Sequence, residues 1–270
     1  MPKLSERLPQ MNSVRNPAYR PLTTAGPDDQ RLLTERIGSP ASYNPATLRA
    51  LVQADPDNVE LRKALVSTIV SAEFAGVDAF GRKVCEWQDW PVPWTLIMAM
   101  ARQTWDEVRH AQLGLGLLES YGGRVGEYPD TLAGGGQTAG RAQQQAALGD
   151  DPSDPVISLS TINVSLEGFA LSLFEGVSDL GRRIGDSLME HCYDYNWADE
   201  VTHTAIGDWF IKRLCEGHPE NERRALRAHA RAEQMRGMLS DDQAEEIRQF
   251  FEEEDERAEY ALGGGVMRDG

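Results

Sequence analysis

Apolar residues fall into a helical rhythm only after Asn44-Pro45. Pro45 suits the first turn of a helix. Beyond the break "DPDN" at 55–58, a run to about Trp87 keeps Leu61, Leu65, Ile69, Phe74, Val77 and Phe80 at spacings of three to five, the repeat of a helix with one buried stripe. A second long run from Val92 to Tyr121 behaves the same way, and two more are expected over about 156–182 and 184–216. Between the two pairs, "GGRVGEYPDTLAGGGQTAGRAQQQAALGDDPSDP" at 122–155 drops periodicity for Gly, Gln, Ala and Asp, as a long crossover or partly disordered loop would. Two shorter amphipathic helices are expected within 218–262, where the run "FFEEEDERAEY" at 250–260 reads as a solvated acidic face. No segment shows a strand pattern. The chain therefore reads as all-α: an irregular arm over 1–44 lying on the surface or on a partner subunit, a helical bundle over 45–217 with its crossover at 122–155, and C-terminal helices over 218–262 packing on that bundle.

Charge narrows the partners. With 27 basic and 43 acidic residues the chain carries a formal net charge of −16 and shows no basic stripe, so neither nucleic acid nor an anionic membrane surface is an expected partner. Cys85, Cys192 and Cys215 stand alone without a C-x-x-C pair, which fits a reducing compartment and three small buried core residues. The N-terminal stretch "MPKLSERLPQMNSVRN" has no apolar run, so a soluble, cytoplasmic protein is expected.

The chemistry sits in a repeat. "WDEVRHAQLGLG" at 105–116 and "ADEVTHTAIGDW" at 198–209 share D-E-V-x-H-x-x-x-G, although the chain has only five histidines. One helix earlier, Glu73 in "SAEFAGVDAF" and Glu167 in "SLEGFALSLF" share S-x-E with a Phe seven residues after the Glu. Glu73 and Glu167 are 94 residues apart and Glu107 and Glu200 are 93 apart, so the chain reads as two copies of a helix pair. Each copy supplies one Glu from its first helix and Glu-x-x-His from its second: Glu107 with His110, and Glu200 with His203. A spacing of three puts both side chains on one helix face.

That face points inward. Glu73 lies among Ile69, Val77 and Phe80, and Glu167 among Val164, Leu171 and Phe174. An isolated carboxylate there would cost several kcal/mol and take up a proton, whereas a bound dication removes the penalty. Four carboxylates and two imidazoles balance two divalent ions. Oxygen-dominated ligation with one imidazole per metal suits iron or manganese better than zinc, which prefers a tetrahedral N/S set, or calcium, which rarely takes His.

Over about residues 57–216 this pattern resembles the ferritin-like di-iron carboxylate superfamily, whose signature is Glu, Glu-x-x-His, Glu, Glu-x-x-His on four helices with a crossover between the pairs. "DEVRH" at 106–110 is similar to the D-E-x-R-H motif of bacterial multicomponent monooxygenase hydroxylases, while "DEVTH" at 199–203 lacks the Arg. The arylamine N-oxygenases are similar in ligand order but carry a further His four residues before the last ligand Glu, where this chain has Asn196. The resemblance implies Glu73, Glu107 and His110 on one iron and Glu167, Glu200 and His203 on the other, with Glu107 and Glu200 bridging and central to catalysis. Asp106 and Asp199 would accept the free ring N–H of a ligand His, and Arg109 would pair with an Asp. Glu175 is a spare candidate.

Dioxygen is then the expected co-substrate. The resemblance implies an oxidase or oxygenase that hydroxylates, N-oxygenates or cleaves a small organic substrate, fed by an external electron donor and assembled as a homodimer. The alternative is a ferroxidase or iron-handling protein; a manganese catalase or a metal-free structural descendant is a third reading. Gly76, Gly114, Gly168 and Gly207 lie within four residues of a proposed ligand, which either close helix packing or a pocket beside the metals explains. Trp87, Trp90, Trp94, Trp105, Trp197 and Trp209 read mostly as core or pocket wall, and Tyr193 and Tyr195 do not mark a radical site. The stretch 134–151 is expected to be a mobile lid or a passive tether.

Overall fold

Asn44 caps the first of the described helices. Its Oδ1 accepts the Thr47 N–H at 2.9 Å, Pro45 occupies the first turn, and α1 runs Pro45–Ala54. Asn58 repeats the device for α2, Val59–Glu86. A short 3₁₀ turn and Pro93 reverse the chain into α3, Trp94–Ser120. Asp154 caps α4, Pro155–Ile184, through the Val156 N–H. Gly185, at φ 74°, closes α4 in the left-handed conformation, and Asp186 caps α5, Ser187–Cys215. Helix α6 spans Pro219–Met235. This computed structural model describes residues 43–128, 151 and 153–235, with isolated positions at 35, 243, 245 and 249. Most of the 1–44 arm, the 134–147 part of the crossover and the acidic run at 250–260 lie outside the described residues.

Among the described residues every regular element is helical, as the periodicity predicts. Short connections make α2/α3 one antiparallel hairpin and α4/α5 another; α5 lies along α3, α1 packs on α2 and α4, and α6 packs on α5 and the first part of α4. Helix α4 departs from the expected uniform α pattern. Leu159–Leu166 winds as a π-helix, and the Ser160 and Thr161 hydroxyls donate to the Val156 and Ile157 carbonyls four residues back, occupying acceptors in the turn that leads into it.

The apolar core falls into two clusters. One gathers Leu65, Ile69, Leu118, Phe174 and Tyr193; the other gathers Phe80, Trp87, Leu96, Met100 and Phe210. Along α2 the first ends at Val70 and the second begins at Phe80; along α3 the order is reversed, with Met100 before Leu117. A band of buried polar residues lies between two apolar plugs. Two helical stretches, Val59–Asp89 and Pro155–Ile184, are long and apolar enough to cross a membrane by length and composition, but their apolar faces form these two clusters, as in core helices.

Gly114 shows how tightly α3 meets α2. A Cβ added there would press into Val70 Cγ2, and a β-branched side chain on a helix has few rotamers in which to retreat. Gly114→Ala should destabilise the fold by about 1–3 kcal/mol, read as a lower denaturant midpoint.

Candidate metal centre

The polar band brings together one carboxylate from α2 (Glu73), a Glu and a His from α3 (Glu107, His110), one carboxylate from α4 (Glu167), and a Glu and a His from α5 (Glu200, His203). All six are at most 7% exposed. Their donor atoms form two sets, each lying within 4.8 Å of one another: Glu73, Glu107, His110 and Glu200; and Glu107, Glu167, Glu200 and His203. Glu107 and Glu200 belong to both sets. His110 Nδ1 lies 3.1 Å from Glu73 Oε2 and 3.3 Å from Glu200 Oε1. His203 Nδ1 lies 2.8 Å from Glu200 Oε2 and 3.6 Å from Glu107 Oε1. In both imidazoles Nδ1 faces the carboxylates.

The opposite nitrogens are held crosswise. His110 Nε2 lies 3.1 Å from Asp199 Oδ2, and His203 Nε2 lies 3.4 Å from Asp106 Oδ2. Each imidazole is thus oriented by the Asp of the other sequence copy, fixing which ring nitrogen turns inward. Arg109 joins the pair by donating to Asp106, to Asp199 at 2.9 Å and to the Tyr195 hydroxyl. Arg102, which the sequence reading did not single out, donates to Asp106 at 2.8 Å. Burial pushes the Asp106 carboxyl up, but hydrogen bonds from His203, Arg102 and Arg109 outweigh it and hold the group well below the usual carboxylate range. Asp106 therefore remains anionic beside the His203 imidazole.

Inside the cluster the electrostatics run the other way. Burial first, then the charges of Glu167 and Glu73, raise the proton affinity of Glu107 well above that of a free Glu; burial and Glu167 do the same for Glu200. His110 is disfavoured as a cation by burial, yet its hydrogen bond to Glu73 and its contact with Asp199 raise its pKa overall. The Cys192 thiol is pushed up to about 12 by burial and by the charge of Glu73, so it is not a thiolate donor. Glu107 Oε1 is buried and accepts no hydrogen bond. A lone pair without a donor, in a buried band holding four carboxylates, fits a divalent cation.

Two neutral residues missing from the sequence reading complete the centre. Gln103, fully buried, donates from Nε2 to Glu167 Oε1 at 3.2 Å, and Asn163 Nδ2 donates to Gln103 Oε1 at 2.7 Å. The repeat held a signal for Gln103 alone. Gln103 and Asn196 are 93 residues apart, the offset of the two Glu-x-x-His motifs, and both are buried amides on the inward face. Asn196 Oδ1 is buried without a hydrogen bond.

Other expectations need correction. Glu175 is exposed and stands outside the cluster, because eight residues beyond Glu167 it has rotated off the inward face. Glycine serves close packing at three positions: a Cβ would meet Glu107 Oε2 at 2.6 Å from Gly76, Val70 from Gly114 and Asn163 Cβ at 2.7 Å from Gly207, while Gly168 faces open space. Cys192 is buried, whereas Cys85 and Cys215 are only partly so. Trp87 is core, but Trp94, Trp105, Trp197 and Trp209 are exposed.

Compared with protein-family models, with curated proteins and with solved structures, the chain matches none. The chemistry of the centre therefore rests on its own donor set.

Proposed function

We propose that the protein is a ferritin-like, non-haem di-iron oxidase or oxygenase acting on a small organic substrate. The observation that carries this reading is the pair of overlapping donor sets, four carboxylates and two imidazoles from four helices, sharing Glu107 and Glu200. Glu73 and His110 would hold one metal, Glu167 and His203 the other, with Glu107 and Glu200 between them. The donor set suits iron, with manganese as the other candidate. When bound, two irons supply the reducing equivalents that dioxygen chemistry requires.

The chain's own residues do the rest. His110 and His203 are locked by Asp199 and Asp106, so each presents Nδ1 without rotating. Gln103 holds Glu167 in place and is itself held by Asn163. Glu107 and Glu200, raised in proton affinity, release protons as metal loads and take them up as it leaves. The apolar clusters on either side exclude water from the band. That enclosure supports retained metals and repeated turnover over iron handling, in which ions must pass through.

Oxygen uptake separates the two. Iron-loaded protein supplied with a chemical reductant should consume dioxygen while keeping about two irons per chain; steady accumulation of many irons per chain as mineral would overturn the oxygenase reading.

Gln103→Leu keeps the volume but removes the donor to Glu167. Metal affinity at the Glu167/His203 position should fall about 10- to 100-fold, the usual loss when a ligand's supporting hydrogen bond is removed. The expected result is a two-step anaerobic metal titration in which only one step weakens.

A further inference from the structure

Asn196 is buried deep in the polar band, yet it supports none of the six donors. It is 1% exposed, and its Oδ1 is buried without a hydrogen bond. An acceptor taken out of water and given no donor destabilises a fold unless something else uses its lone pairs.

Its place along α5 shows which side of the centre it faces. Asn196 sits one turn after Cys192 and one turn before Glu200, and all three are buried on the same helix face. Burial is the main influence on both neighbours, but the charge of Glu73 on α2 acts on each of them as well. Glu73 therefore stands across from the stretch of α5 that Asn196 centres. Glu73 shares a donor set with Glu107, His110 and Glu200, so the unused oxygen lies on the side of that set.

The repeat explains why the oxygen is unused. Asn196 corresponds to Gln103, 93 residues earlier, and Glu73 to Glu167, 94 residues later. In one half the amide is fully occupied: Gln103 Nε2 donates to Glu167 Oε1 at 3.2 Å, and Gln103 Oε1 accepts from Asn163 Nδ2 at 2.7 Å. In the other half the residue that corresponds to Asn163 is Ile69, 94 residues earlier, which lies in the apolar core and has no side-chain donor. The two halves thus differ: an amide oxygen is closed off beside Glu167 and left open on the side of Glu73. An amide oxygen is a ligand that hard divalent cations accept, and it adds a donor without adding charge. Four carboxylates already balance two dications, so a neutral seventh donor raises coordination without making the band more acidic.

We infer that Asn196 Oδ1 is a further ligand of the metal held by Glu73 and His110, which makes the two metal positions unequal. The inference rests on the reading of the six donors as a two-metal centre.

The test is anaerobic titration of the full-length chain with cobalt(II) alone, followed by calorimetry and by the visible cobalt spectrum, which responds to the ligand set and its geometry. Wild type should take up about two cobalt ions per chain in two steps. Asn196→Leu, of nearly the same shape, should weaken one step at least tenfold and alter the spectrum of that step. Gln103→Leu should weaken the other step, and the double variant both. Metal-free Asn196→Leu should melt no lower than wild type, because an apolar side chain replaces an unpartnered acceptor. Asn196→Asp, which restores an oxygen, should recover the weakened step. Both steps unchanged in Asn196→Leu, or both weakened equally, would overturn the inference and leave the two-metal centre standing. So would a lower melting temperature of the metal-free variant, the mark of an amide kept for structure or bridged by water. A wild type that takes up no cobalt would remove the centre itself, and the inference with it.

Discussion

Metal-free protein should lose stability as pH rises from about 4 to 8, and protein loaded with a divalent metal should show the opposite slope. The sign follows from three groups. Glu107 and Glu200 have raised proton affinity, mainly through burial. The folded state therefore binds more protons than the unfolded state above the ordinary Glu pKa. Their stabilising effect is complete below about pH 4 and is lost as pH rises through the folded-state pKa. His110 is also raised, by Glu73 and Asp199 against the effect of burial, so its contribution fades upward from about pH 6.5 in the same direction. Asp106 is depressed and has the opposite sign, but its contribution is lost only as pH falls below about 4, outside this window. Each tenfold difference in proton affinity corresponds to about 1.4 kcal/mol, so three groups acting together move a melting temperature by many degrees. A metal reverses the slope because it competes with those protons for the same oxygens and nitrogens. Its affinity rises with pH, and ligand binding to the folded state alone raises stability. Thermal melts of chelator-treated and metal-loaded protein across this range check the prediction; parallel slopes would remove the cluster from the account.

Glu200→Gln should stabilise the metal-free protein and destroy its metal binding in one step. The substitution preserves shape but removes a group that must either ionise in a buried, acidic cluster or draw a proton from solution. At neutral pH that removal is worth about 1–4 kcal/mol. An amide still bonds its neighbours, and near His203 Nδ1, 2.8 Å from Glu200 Oε2, it can donate or accept. It cannot supply the negative charge that a bridging position needs, so affinity for the pair of metals should fall more than 100-fold. Stability gained and binding lost is the signature of a residue kept for its site, since most buried substitutions destabilise. If Glu200→Gln instead melts lower in the metal-free state, the carboxylate contributes to packing and the electrostatic reading of the centre fails.

Much of the centre was legible because its chemistry needs charged residues at helical spacing inside an apolar stripe. Glu73, Glu107, His110, Glu167, Glu200 and His203 stand out where Leu or Val would be expected, and the repeat at 93–94 residues doubles each signal. The Asp106 and Asp199 pairings were legible by type but not by partner. Nothing in D-E-V-x-H says that each Asp serves the histidine of the other copy, because that depends on how α3 and α5 meet. Gln103 and Asn163 were hidden for a different reason. An amide carries no charge, so nothing marks it as costly to bury until its hydrogen bonds to Glu167 and Gln103 are seen. The π-helical turn at Leu159–Leu166 was hidden as well, since its "LSTINVSL" keeps a helix-compatible pattern and the widening appears only in the backbone. The tryptophans misled because an aromatic reads as core by default, and the exposure of those on α3 and α5 follows only once the inward faces are assigned.

Metal content tests the central claim most directly. Wild-type protein equilibrated anaerobically with ferrous iron and freed of excess should carry about two irons per chain, while Glu107→Ala and Glu200→Ala, each removing a residue common to both donor sets, should carry less than one. A wild type that retains no iron, or both variants retaining two, would contradict the account.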